Sequence, residues 1–168
     1  MSETKTTETK TTKPKWNEKE LSKEDYVALK RSAGIMMDQA PGKAVAAYYR
    51  VRNAENTSTY KDEIQFACLS MNCMWDRGEA KMPLQKLLGR LCKDPGKGKS
   101  VSKACLECLD NPWRKDGFLL KKIYSLVVMV KREIPGVMPD FERLADDLIR
   151  WNYDKRFIQR NWINQIFN

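Results

Sequence analysis

From residue 22 onward, apolar residues recur every three or four positions, the spacing of helices that bury one face. Ser22 followed by Asp25 fits a capping box. Tyr26, Leu29, Ala33 and Met36 then form one stripe, which Pro41-Gly42 ends. A shorter helix carries Ala44, Val45, Tyr48 and Tyr49, and residues 53–59 form a polar loop. Thr59 can cap the next helix, striped by Ile64, Ala67, Cys68, Met71 and Trp75. Pro83 opens another, with Leu84, Leu87, Leu88 and Leu91 inward. After a Gly/Lys loop at 93–100 comes a short helix bearing Val101, Ala104, Cys105 and Cys108. Asn111 as cap and Pro112 as first residue predict a long helix through Phe118, Ile123, Leu126, Val127 and Val130, which Pro135-Gly136 ends. Pro139 opens the next, with Phe141, Leu144, Ala145 and Leu148 inside, and Asp154 caps the last, with Ile158, Trp162 and Ile166 at i, i+4 spacing. No strand of convincing alternation and no internal repeat is found. The pattern predicts an all-α chain of about eight helices in two small packed lobes, 21–95 and 96–168.

Residues 1–20 break this pattern. They repeat Thr, Lys and Glu with almost nothing to bury, and read as a solvated, disordered tail. Trp16 is the one residue there able to pin the tail's end to the body. The tail carries five Lys and four Glu, a net of +1, so +8 of the formal +9 belongs to the folded part. A folded domain this basic calls for a polyanion, an anionic membrane or an acidic partner.

The remaining composition narrows the class. A 42% hydrophobic share across 168 residues is enough for one core. No apolar run approaches the roughly 18 residues of a membrane span, and the N-terminus lacks the apolar centre of a signal peptide. Five Cys, an odd number, suit reduced thiols in the cytoplasm better than a disulfide framework. The absence of His removes the commonest general base and metal ligand, and with them Ser-His-Asp, Cys-His and HExxH chemistry.

Three constellations invite a chemical reading and each fails it. Gly98-Lys99-Ser100 ends like a phosphate-binding loop, but Lys93 stands where the first glycine belongs and a Leu-rich helix precedes it instead of a strand. Cys105 and Cys108 have the spacing of half a zinc site, yet Cys68, Cys73 and Cys92 supply no second pair, so they read as small core residues. Asp140, Glu142, Asp146 and Asp147 lie in the first two turns of a helix, where its dipole favours negative charge. The expectation is a protein with no catalytic residues, metal, cofactor or small-molecule substrate.

The basic pairs carry more. Lys30-Arg31, Arg50/Arg52, Lys121-Lys122, Lys131-Arg132 and Lys155-Arg156 each sit on or beside a helix, away from its apolar stripe. Several such pairs on a domain at +8 favour phosphate contact, since each neutralised phosphate releases counterions. Membrane binding is disfavoured because the apolar faces are committed to the core. The aromatic residues likewise fall mainly on inward stripes, which favours backbone contact over base stacking or base readout.

The order of motifs resembles the CasB family, the small subunit of the type I-E CRISPR surveillance complex, Cascade. The likeness begins with Leu29-Lys30-Arg31-Ser32-Ala33-Gly34 and continues through Ala46-Ala47-Tyr48-Tyr49-Arg50 and Leu87-Leu88-Gly89-Arg90-Leu91. It ends with Pro139-Asp140-Phe141-Glu142-Arg143-Leu144-Ala145-Asp146-Asp147-Leu148-Ile149-Arg150-Trp151, then a basic pair and a final Trp helix. Phe141 stands where the family usually has Trp, and Lys30 where it has Arg. The resemblance covers about residues 25–168. It implies a non-catalytic, two-lobed helical protein, paired with a second copy of itself beside the subunits that hold the guide RNA. Its basic surface would contact the target and displaced DNA strands of the R-loop, in antiviral defence. By position, the nucleic-acid-binding residues it implies are Lys30, Arg31, Lys61, Lys121, Lys122, Lys155 and Arg156. The competing class is a stand-alone helical RNA-binding or protein-interaction adaptor, which a genomic neighbourhood of CRISPR arrays would exclude.

Overall fold

The computed structural model describes residues 14–55 and 57–168. Among them are eight α-helices: α1 (Lys23–Arg31), α2 (Gly42–Val51), α3 (Thr59–Asn72), α4 (Leu84–Cys92), α5 (Gly98–Leu109), α6 (Phe118–Glu133), α7 (Phe141–Ile149) and α8 (Phe157–Phe167). Two three-residue strands, β1 (Ala80–Met82) and β2 (Val137–Pro139), pair in parallel with Lys81 opposite Met138. The fold is therefore all-α apart from one short ribbon.

α3 is the axis. Every residue from Ile64 to Asn72 is buried, so it is covered all round, as a helix at the centre of a core must be. α7 packs along it, with α1, α2 and α6 around the remainder. α4 packs on α8, where Gly89 lets the backbones approach: a β-carbon there would stand 3.1 Å from the Gln165 carbonyl oxygen and 3.2 Å from that of Ile166. Tyr48, Phe66, Leu69, Leu87, Phe141, Trp151 and Trp162 are all fully buried in one continuous cluster. That cluster runs across the 93–100 segment, and the pairs α3–α7 and α4–α8 join elements from either side of it.

Several boundaries differ from the sequence expectation, each for a tertiary reason. α1 is capped by the Ser22–Asp25 box but stops at Arg31 instead of running to Met36. Gly34 turns the chain at φ +81°, with the Tyr124 ring of α6 where a side chain would stand. Ser58, not Thr59, caps α3, accepting from the Lys61 amide at 3.2 Å. The 93–100 loop ends at Lys97. Asp94 Oδ1 accepts the Gly96 and Lys97 amides, and α5 starts at Gly98, where a β-carbon would overlap the Cys92 carbonyl.

α6 does not start at Pro112. Residues 111–113 are tied down outside any helix by the segment after α7: Trp151 Nε1 donates to the Asn111 carbonyl at 2.8 Å, and the Asn152 carboxamide bonds both backbone groups of Trp113. The helix starts after Gly117, at φ +73°. Pro139 ends β2, and Asp140 caps α7. Asp154 opens a 3₁₀ turn, not α8.

The composition-based tail also ends earlier than residue 20. Residues 1–13 lie outside the described residues, but from Pro14 the chain is docked. Trp16 is buried and bridges Arg52, Lys15 Nζ pairs with Asp146 at 2.6 Å, and the Lys15 amide donates to Glu142 at 2.9 Å.

Candidate nucleic-acid interface

The structure separates basic residues that hold the protein together from those that face outward unpaired. Arg52 pairs with the buried Asp62 at 2.7 Å, beneath the Tyr48 phenol, and its guanidinium lies 4.3 Å from the centre of the Tyr49 ring. Arg50 pairs with Asp25, Arg132 with Glu133, and Lys131 sits over the Trp75 ring at 5.1 Å. The Arg52, Arg50 and Lys131 contacts tie separate elements together, whereas Arg132 bonds its chain neighbour Glu133 and is otherwise exposed. By contrast Lys30, Arg31, Lys121 and Lys155 are exposed and form no ion pair among the described residues.

Two of the sequence-identified pairs converge on the end of α5. Lys122 Nζ bonds Glu107 at 3.2 Å while riding 5.3 Å above the Phe118 ring. Two residues further along α5, the Leu109 carbonyl accepts from the Arg156 guanidinium. This is one of the last carbonyls of the helix, where a cation is favoured. Arg156 is thus a tertiary tie as well as a surface charge.

Lys155 and Arg156 also occupy left-handed backbone, φ 66° and 51°. Non-glycine residues reach that region at a cost of about 1–2 kcal/mol each. The surrounding bonds impose it: Asn152 is fixed to Trp113, and Gln159 Nε2 donates to the Trp151 carbonyl at 2.7 Å. The strained turn aims Lys155 outward.

Other sequence-identified residues fall elsewhere. Lys30 lines an open groove of about 430 Å³ with Lys23, Tyr26, Val27 and Arg77. The turn after Arg31 rests Gly34 on Tyr124 of α6, the helix that carries Lys121 and Lys122. Lys61 lines a different cavity with Lys15, Glu55 and Asp146, so it is not in the α5 cluster.

The aromatic expectation needs correction. Phe118, placed inside by the sequence reading, is 46% exposed, Tyr153 54% and Phe157 40%. The Tyr153 and Phe157 ring centres lie 6.3 Å apart, and the Arg150 guanidinium is 5.8 Å from Phe157. Tyr60, at the start of α3, has its phenol pKa pushed up from 10.0 by partial burial and then by the nearby Tyr153. Aromatic and basic side chains therefore interleave on this face. Arg114 belongs to it too, lining a shallow cavity with Asn111, Pro112 and Phe118. Phase could have revealed Phe118 and Phe157: each sits one residue before a buried stripe, hence about 100° away from it.

The chemical constellations resolve into structural roles. Asp140 caps α7, Glu142 and Asp146 hold Lys15, and the buried Asp147 accepts from Trp162 Nε1 at 2.8 Å. Burial pushes the Asp147 carboxyl above its usual 3.8, against the opposing Trp162 hydrogen bond. Cys105 and Cys108 are buried, and burial drives both thiols up, Cys108 to about 12. Among the described residues no three metal-binding side chains come together, and no helix is long and apolar enough to cross a membrane.

No protein-family profile and no curated protein matches this sequence. Two solved structures do match in three dimensions. One is CasB from M. ruber, at 12% identity and TM-score 0.68, spanning 89% of this chain and 87% of that one. The other is a Cse2-family CRISPR-associated protein from Thermus thermophilus, at 20% identity and TM-score 0.65, spanning 85% of each. The chain therefore has the CasB/Cse2 fold over nearly its whole described length.

Proposed function

We propose that this chain is the small, non-catalytic subunit of a type I-E CRISPR Cascade complex, and that it holds the DNA strands of the R-loop by their phosphates. The observation that carries this reading is a set of exposed, unpaired lysines, Lys30, Lys121 and Lys155, with Arg31, on a fold shared with CRISPR-associated proteins. Lys122 and Arg156 extend the set but are already committed to Glu107 and to the Leu109 carbonyl. Lys61, half-buried in a different cavity, stands apart from this set.

The physics suits such a role. Opening a DNA duplex to form an RNA–DNA heteroduplex is a near-balanced exchange, so added backbone contacts tip it. Lysine contacts to phosphate supply that energy without reading sequence. Base pairing with the guide RNA does the reading. The partners are the guide-RNA-bearing subunits, the target DNA and a second copy of the chain, in the cytoplasm.

The test is assembly of Cascade with and without this chain. With it, R-loops should persist longer and at higher salt, while guide RNA stays bound in both cases. A chain that neither joins the complex nor alters R-loop lifetime is an adaptor of another kind.

A further inference from the structure

We propose that the face formed by Tyr153, Phe157 and Arg150 is a stacking site for the unpaired bases of a single nucleic-acid strand. This rests on the reading of the chain as a nucleic-acid-backbone binder, and assigns it a preference for unpaired over paired strands.

Three observations support it. First, the two aromatic rings are exposed on a rigidly held turn, not on a mobile loop: Trp151, Asn152 and Gln159 tie residues 151–159 to one another and to residues 111–113. Little ordering remains to be done when a base arrives. Second, the cations flank the rings. Arg150 lies over Phe157 while pairing with Asp147 at 3.7 Å, and Lys155 follows Tyr153 by two residues with no ion pair among the described residues. A strand stacked on the rings would have its phosphates within reach of those cations, the combination that sequence-tolerant single-strand binders use.

Third, the cavity of about 400 Å³ beside Tyr153 has a mixed lining that suits a base better than a phosphate. Asp110 and Asp154 face it together with Lys155 and Arg156. The two carboxylates repel a phosphate but accept hydrogen bonds from the amino group of a base edge. Gln159, on the same wall, has Oε1 without a partner among the described residues. The paired bases of a duplex could reach neither rings nor cavity.

The experiment is a binding titration of the full chain against three probes: a short mixed-sequence DNA single strand, an abasic strand of equal length, and the matching duplex. The wild type should bind the base-bearing strand more tightly than the other two. Tyr153→Ala with Phe157→Ala should weaken binding of that strand at least about fivefold, the loss expected for a stacked base. It should leave the abasic strand, the duplex and the salt slope unchanged. Tyr153→Phe with Phe157→Tyr, which keeps both rings, should bind like the wild type. Equal wild-type affinity for base-bearing and abasic strands would overturn the stacking site while leaving backbone binding intact. Failure to bind any probe would overturn both. A Lys121→Ala/Lys122→Ala variant, weakened on all three probes with a shallower salt slope, would show that the backbone reading holds independently.

Discussion

Replacing Lys155 by glycine should make the protein more stable and a poorer nucleic-acid binder. The residue sits at φ 66° and its side chain makes no ion pair among the described residues, so the folded state bears an unfavourable backbone angle with no compensating salt bridge. Glycine removes a left-handed penalty of about 1–2 kcal/mol and adds about 0.5–1 kcal/mol of backbone entropy loss on folding. The net gain is about 0.5–1 kcal/mol, a rise in Tm of about 1–4 °C for a chain of this size. Arg156→Gly is the internal control. It gains the same relief but forfeits a charged hydrogen bond to the Leu109 carbonyl, worth about 1.5–3 kcal/mol, so it should be destabilised by about 1 kcal/mol. Thermal unfolding measures both, and salt titrations of binding should show the slope falling by about 1 for each phosphate that is no longer neutralised. A Lys155→Gly protein that unfolds earlier than the wild type would refute the strain at this turn. One that binds with an unchanged salt slope would remove Lys155 from the interface.

Gly98→Ala should destabilise by about 1–3 kcal/mol, as overpacking does, because the added methyl would overlap the Cys92 carbonyl; a Tm within a degree of wild type would contradict the close approach of α4 and α5. Asp147→Asn should keep the Trp162 hydrogen bond and remove a buried charge, together with its 3.7 Å ion pair to Arg150. Because burial raises the folded pKa of Asp147, its stabilising contribution is complete below 3.8 and is lost as pH rises through the raised value. The variant should therefore gain stability relative to wild type as pH goes from about 3.8 to neutral, and a gap that is constant or shrinking in thermal scans would reverse the assignment. Brief alkylation at neutral pH should label one thiol, the half-buried Cys92. Cys68, Cys73, Cys105 and Cys108 are buried and their pKa values raised, and mass spectra with several adducts on the folded chain would disprove that.

Much of the helical order was legible because the buried stripes are long and regular. Ile64 to Trp75, Leu84 to Leu91 and Ile158 to Ile166 all face inward as their spacing requires. The Ser22–Asp25 box is equally local and equally visible. What failed was local signal overruled from a distance. Asn111-Pro112 has the chemistry of a helix start, but Trp151 and Asn152, some 40 residues later, claim the backbone groups of Asn111 and Trp113. Nothing local marks Lys155 and Arg156 as left-handed; the ties on either side force it. For the site, sequence could identify which residues were basic, but not which were spent. Arg52 and Lys122 look alike on paper to Lys121 and Lys155, and only the fold supplies Asp62 and Glu107 as their partners.

The central claim is tested most directly by R-loop lifetime in Cascade assembled with Lys121→Ala/Lys122→Ala/Lys155→Ala, which spares the tie made by Arg156. The account predicts a folded variant that joins the complex and leaves guide RNA bound, with R-loops that dissociate faster and more steeply with salt. R-loops as long-lived as those of the wild type would contradict it.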